Sequence, residues 1–161
     1  MNASTYNLPL KLRTTSSGFT LIELMVTIAV LAIIVGIATP SINSQLANQR
    51  VKSTTATLAN ALKEAKNESL IRRQSITLSY DNNSNPKMIN ITDADAGKIA
   101  SYRYDSKSII KSSKTSIDFE PSKRVDAAIT YTVCDKNTSI VPRQVNVSKL
   151  ANINIKAGVS C

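Results

Sequence analysis

The sequence predicts an α+β protein in which one long N-terminal helix precedes, and packs on, an antiparallel β-sheet. Three observations predict it. From Phe19 to Ala38 the chain reads FTLIELMVTIAVLAIIVGIA, with Glu23 as its only charge. From Ser41 to Asn85 there is neither glycine nor proline, and apolar residues recur at helical spacing. From Ser75 onward the pattern changes to short alternating runs separated by Asn, Asp, Ser and Pro. Strands that follow one helix, and do not alternate with helices, form an antiparallel sheet on that helix.

Composition narrows the function. The chain has 161 residues and 17.4 kDa, enough for one domain plus a tail. It carries 20 Lys+Arg against 11 Asp+Glu, a net +9 that makes acidic partners such as nucleic acid or anionic lipid worth testing. With no His there is no imidazole base, no His metal ligand and no triad of the usual kind, so an enzyme, a zinc site or a haem site is the minority reading. Aromatic content of 4 %, with no Trp, argues against a stacking platform for bases. No cofactor or metal is expected.

The run from Phe19 to Ala38 is twenty residues, which as a helix spans about 30 Å, one hydrocarbon core. Residues 1–18 carry Lys11 and Arg13 and no acid, so the positive-inside rule puts the N-terminus in the cytoplasm and the body of the chain across the membrane. A secretory signal peptide is one reading, since Gly36-Ile37-Ala38 offers small residues, but the run is long for a signal core and contains an acid. A plain single-span anchor is another, yet it leaves Glu23 unexplained where an acid costs about 2.5 to 3.5 kcal/mol at a helix centre.

The string Gly18-Phe19-Thr20-Leu21-Ile22-Glu23 resembles the processing site of type IV prepilins and pseudopilins. In that family a dedicated prepilin peptidase cuts after the glycine, the new N-terminal residue is N-methylated, and the glutamate is the fifth mature residue. The resemblance therefore implies cleavage after Gly18, methylation of Phe19, and an assembly role for Glu23, which would neutralise the Phe19 amine of a neighbouring subunit. A buried charge needs such a partner. Pro40 matches the family's proline at the twenty-second mature position, and Gly36 and Pro40 mark where the helix would break or bend. Removing 18 residues, with Lys11 and Arg13, leaves 143 residues at a net +7.

After Pro40, Val51, Leu58, Leu62 and Ala65 lie near one helical face, with Arg50, Lys52, Lys63, Lys66 and Glu68 elsewhere. The helix is expected to run to about Leu70 or Arg73, some fifty residues or roughly 75 Å. Its exposed second half must pack its apolar stripe on something. The expected divisions are 1–18 leader, 19–40 membrane and filament-core helix, 41–73 amphipathic continuation, and 74–161 β-rich domain. Strand candidates are Ser75 to Tyr80, Met88 to Ile91, Ile99 to Tyr104, Ser116 to Phe119, Ala127 to Cys134, Ile140 to Val147 and Ala151 to Lys156, with Asp105 to Thr115 read as a loose Ser- and Lys-rich stretch. This is also the type IV pilin fold that the resemblance implies.

Cys134 and Cys161 frame the last strands, and in an exported domain they read as a disulfide closing a loop of about 28 residues, worth about 3 kcal/mol. The alternative, a reactive or metal-binding thiol pair, lacks accessory ligands. The tail, with Val133-Cys134-Asp135 and Arg143-Gln144-Val145-Asn146-Val147-Ser148, resembles the C-terminal region of the GspH/FimT family, which includes minor pilins and minor pseudopilins of type II secretion. The Gly-Arg-x-Arg hairpin that some members use for DNA is replaced here by Lys149 to Lys156, so those residues do not carry across. Arg143, Lys149 and Lys156 remain as DNA-contact candidates, with Lys107, Lys111, Lys114, Lys123 and Arg124 around the Ser-rich region; a solvated basic surface, or a complement to acidic partner subunits, is the simpler reading.

The resemblance thus implies a minor pilin that joins, and helps to initiate, type IV pili, the filaments of motility, adhesion and natural transformation. Its partners would be other minor and major pilins, the prepilin peptidase and, before assembly, the bacterial inner membrane; it would end in the pilus at the cell surface. A competence pilin binding extracellular DNA and a secretion pseudopilin are the alternatives. Asp93-Ala94-Asp95-Ala96-Gly97 looks like the start of a calcium loop, but the twelfth position is Tyr104 where a bidentate Glu is needed, and a turn is the better reading. An enzyme reading could use paired carboxylates, for example Asp118 and Glu120 on the same face of a strand, but such alternation is ordinary at a sheet surface.

Overall fold

The computed structural model describes residues 18–95 and 97–161. The leader positions before Gly18 lie outside the described residues. The chain divides into two compact units at Thr39 and Pro40, and the helix α1 (Leu21–Arg72) belongs in part to each.

In the first unit the helix begins at Leu21, two residues after the expected start at Phe19. Thr20 is the N-cap: its Oγ1 accepts the Glu23 N–H at 3.2 Å, and its carbonyl accepts the Leu24 N–H at 3.2 Å. Thr20-Leu21-Ile22-Glu23 thus has the spacing of a capping box, with an acid in the first turn where the helix dipole favours it. From Phe19 to Ile37 every side chain is exposed, including Leu21, Ile22 and Ile33. The helix continues through Gly36, while Pro40, the other position expected to break it, falls among residues 38–41, whose side chains lie outside the described residues. Among the described residues no single helix is long and apolar enough to cross a membrane; Leu21–Ile37 and Ile42–Arg72 meet that test as a pair.

In the second unit the same helix is one-sided. Ala47, Val51, Leu58, Leu62 and Ala65 are buried, following the 3.6-residue period. The buried hydroxyls on this face are satisfied: Thr54 Oγ1 donates to Ser108 Oγ at 3.0 Å, Thr55 Oγ1 to the Val51 carbonyl at 2.6 Å, and Ser69 Oγ to the Lys66 carbonyl at 2.7 Å. The helix ends at Arg72, whose Nε donates to Glu68, and Arg73 follows in the left-handed region at φ 55°, a helix-terminating geometry more often filled by glycine.

Eight strands follow: β1 (Ile76–Asp81), β2 (Met88–Asp93), β3 (Lys98–Arg103), β4 (Ser108–Lys111), β5 (Ser116–Phe119), β6 (Ile129–Asp135), β7 (Arg143–Val147) and β8 (Ile153–Ala157). They form two four-stranded antiparallel sheets, ordered β3-β2-β1-β5 and β4-β6-β7-β8. Register brings like to like across each ladder: Leu78 pairs with Ile91 on one side and Ile117 on the other, and Ile110 pairs with Val133. These residues, with Phe119, Tyr131 and Val145, form one core with the helix stripe. Burying a Leu or Ile side chain of this kind stabilises by about 2 kcal/mol.

Besides the division of the strands into two sheets where one was expected, two features differ from the sequence reading. Asp105 to Thr115 is not wholly loose: it contains β4, whose Ser108 is buried against Thr54, so a serine that reads as solvent-facing in sequence sits in the core. The strand expected from Ile140 starts only at Arg143, because Asn137 to Ile140 form a turn and Pro142 has no N–H for a ladder.

Candidate assembly site

The first unit presents Gly18, Phe19 and Glu23 on or beside the cap of an exposed apolar helix. Among the described residues nothing lies within 4 Å of the position a Gly18 side chain would occupy. Phe19, 73 % exposed, stands one residue beyond it. Glu23 is the one acid on a surface that otherwise consists of Phe, Leu, Ile, Val, Met, Ala, Thr and Gly over residues 19–37. A helix apolar on all sides is stable only when lipid or other helices cover it, and once covered its carboxylate is stabilised by a cationic partner. Chemically the arrangement offers an exposed apolar helix suited to a covering of lipid or of other helices.

The C-terminal candidates distribute differently. Cys134, on β6, is bonded to Cys161, with a Cα separation of 6.0 Å. Arg143 pairs with Ala157 and so shares a sheet face with buried Val145, whereas Lys156 pairs with Gln144 on the opposite face; Lys149 lies in the β7–β8 turn, its carbonyl accepting the Val125 N–H at 3.2 Å. The three do not form one row. Among the other cations, Lys111 donates to the Cys161 carbonyl at 2.6 Å.

The Asp93 to Gly97 segment is a turn. The Asp93 N–H donates to the Gly97 carbonyl at 3.0 Å, and the Gly97 N–H donates to Asp93 Oδ1 at 2.6 Å. Ala96 lies outside the described residues. Among the described residues no group of three or more His, Cys, Asp or Glu could hold a metal ion. Asp118 accepts a hydrogen bond from Thr77 Oγ1 across the ladder at 2.6 Å, and Glu120 accepts one from Ser122 at 2.8 Å.

Two polar contacts of the helix escape the sequence reading. Arg50 places Nε 2.8 Å from Asp135 Oδ2 and Nη2 3.0 Å from Oδ1, a bidentate pair between α1 and the end of β6, with Asp105 3.8 Å away. Those guanidinium hydrogen bonds hold the Asp135 carboxyl below the usual carboxylate range against the opposing effect of burial, and they raise Arg50 in turn. Glu64 accepts a hydrogen bond from the Tyr102 hydroxyl, which ties α1 to β3 and pushes the phenol up. Spacing along the chain could not reveal either, because the partners are 85 and 38 residues apart.

Residues 13–39 match the family described as the prokaryotic N-terminal methylation motif. No curated protein sequence matches the chain. Among solved structures, the chain is similar to the type IV minor pilin FimU of Pseudomonas aeruginosa at 18 % identity and TM-score 0.60, with 70 % of this chain and 96 % of that one covered. A second crystal form of FimU gives 18 % and 0.58, over 68 % of this chain and 98 % of that one. EpsH, the minor pseudopilin of the Vibrio cholerae type 2 secretion system, is similar at 11 % identity and TM-score 0.55, over 67 % and 97 %.

A long N-terminal helix followed by antiparallel strands, behind a methylation motif, defines a type IV pilin-like protein. This chain is type IV pilin-like both in its fold and in its N-terminal motif.

Proposed function

We propose that the chain is a minor pilin of the GspH/FimT group, incorporated into a type IV pilus and helping to initiate its assembly. The observation that carries this reading is the continuity of the methylation motif with an exposed apolar helix whose one acid is Glu23. Cleavage after Gly18 would free an amine on Phe19, and Glu23 of an adjacent subunit would neutralise it as the helix leaves the inner membrane for the filament. Before assembly the N-terminus lies in the cytoplasm and the β-rich unit across the membrane; other pilins and the prepilin peptidase are the partners. Counting surface pili on cells deleted for the chain, in a background that cannot retract pili, tests it: a sharp drop is expected, and normal numbers overturn the assembly role.

The likeness to EpsH keeps a secretion pseudopilin as a second reading. Under that reading the deletion blocks export of secreted enzymes and leaves pilus numbers unchanged. Capture of DNA draws on the net +9 charge and on Arg143 and Lys156, which occupy adjacent rungs of the β7–β8 ladder and border one groove, whereas Lys149 lies outside it.

A further inference from the structure

A concave groove of about 380 Å³ lies in the second unit between the α1 turn at Val51 and Lys52 and the β7–β8 hairpin, with Val141, Pro142, Arg143, Ile155 and Lys156 on its hairpin side. No acid lines it. Among the described residues none of its three cations, Lys52, Arg143 and Lys156, makes an ion pair, unlike Arg50 and Arg72. Arg143 shares its sheet face with Val145 and Ile155, so it rises from an apolar floor in which Val51 is buried while Ile155 and Val141 remain exposed. The hairpin wall is fixed: the Gly158 N–H donates to the Pro142 carbonyl at 2.8 Å, and a side chain at Gly158 would meet Pro142 at 3.0 Å.

We infer that this groove receives a segment of a neighbouring, chemically different filament subunit, with an Asp or Glu side chain of that segment set between Lys52 and Arg143 and an apolar residue beside it covering Ile155 and Val141. The inference rests on the filament reading above and adds the partner surface to it. Three cations without an ion pair, Lys52, Arg143 and Lys156, beside an apolar floor match an acidic segment whose carboxylate is flanked by apolar groups, and a preformed wall lowers the cost of ordering the contact. A second copy is the disfavoured occupant, because chains that each carry a net positive charge repel on approach, and the test below separates the two. Nor does the groove suit a nucleic-acid strand: no aromatic ring lines it for stacking, and a phosphate would leave the apolar floor uncovered.

Filaments sheared from cells carrying the full chain are treated with a water-soluble carbodiimide, which condenses an amine with a carboxylate in direct contact, and the products are read by mass spectrometry. Lys52 is expected in an amide link to an Asp or Glu of a different subunit, with Lys149, outside the groove, as the internal control. Arg143→Glu should lower that link about fivefold or more, the effect of losing a pairing of about 1 kcal/mol, while Arg143→Lys retains it and its new amine joins the same partner. A Lys52 link only within the chain or to another copy, a link no stronger than that of Lys149, or one indifferent to Arg143→Glu overturns the inference. Protection of Lys52 by added duplex DNA would assign the groove to nucleic acid and also overturn it. Absence of the chain from the filaments removes the filament reading as well; presence without the link removes this inference alone.

Discussion

The guanidinium of Arg50 clasps the carboxylate of Asp135 through two hydrogen bonds, 2.8 and 3.0 Å, and so fastens α1 to the residue that follows Cys134 in β6. The Asp135 side chain is 1 % exposed, and its Oδ1 also accepts the Asn137 N–H at 2.8 Å, shaping the turn after the strand. One carboxylate thereby orders a helix contact and a turn together.

Arg50→Met leaves that carboxylate buried without its partner and is expected to cost about 3 kcal/mol, read by denaturant unfolding. The pH dependence has a definite sign. Because Asp135 titrates lower folded than unfolded, its contribution is complete above the unfolded value of about 4 and is lost as pH falls through the folded value. Melting temperature should therefore decline in acid below about pH 4 in the parent, and the decline should be shallower in Asp135→Asn.

The Cys134–Cys161 bond, across 27 residues, limits the unfolded chain and anchors β6 to the end of the sequence. Replacing both by serine is expected to lower stability by about 3 kcal/mol, and reductant should bring the parent to the same melting temperature as the double variant.

At Gly97, a Cβ would come within 2.7 and 2.8 Å of the two Asp93 carboxylate oxygens. Gly97→Ala is expected to push the carboxylate aside and lose its hydrogen bond, about 1 kcal/mol. Since that carboxylate serves the turn, millimolar calcium should leave the melting temperature of the parent where chelator leaves it; a rise of several degrees would mean that Asp93 and Asp95 bind the ion.

Much of this architecture was readable because local patterns carry it. The helix stripe of Val51, Leu58, Leu62 and Ala65 and the alternation of Ile76 and Leu78 announce their periods directly. β4 was missed because Ser108 and Lys111 bound it, and a buried serine gains its place from Thr54, a residue 54 positions away. The division of the strands into two sheets was likewise hidden, since β5 joins β1 and β4 joins β6 across chain-distant edges. At the candidate site Gly18, Phe19 and Glu23 were legible as a contiguous string, whereas the groove near Lys52 and Arg143 exists only once β7 and β8 lie beside the helix.

Glu23 has a structural role, through its backbone, in the Thr20 cap, and a proposed one, through its side chain, in assembly. Glu23→Ala should keep the cap, because the Thr20 bond uses the Glu23 N–H, and yet reduce recovery of the chain in sheared pili to a small fraction of the parent. Equal recovery would sink the proposed pairing with a neighbouring Phe19 amine.

The central claim is that the chain becomes a filament subunit by processing at Gly18. Mass spectrometry of the chain recovered from sheared surface filaments tests it most directly. The account predicts a mature product of 143 residues beginning at N-methylated Phe19. A chain in those filaments still carrying residues 1–18, or its absence from them altogether, would contradict it.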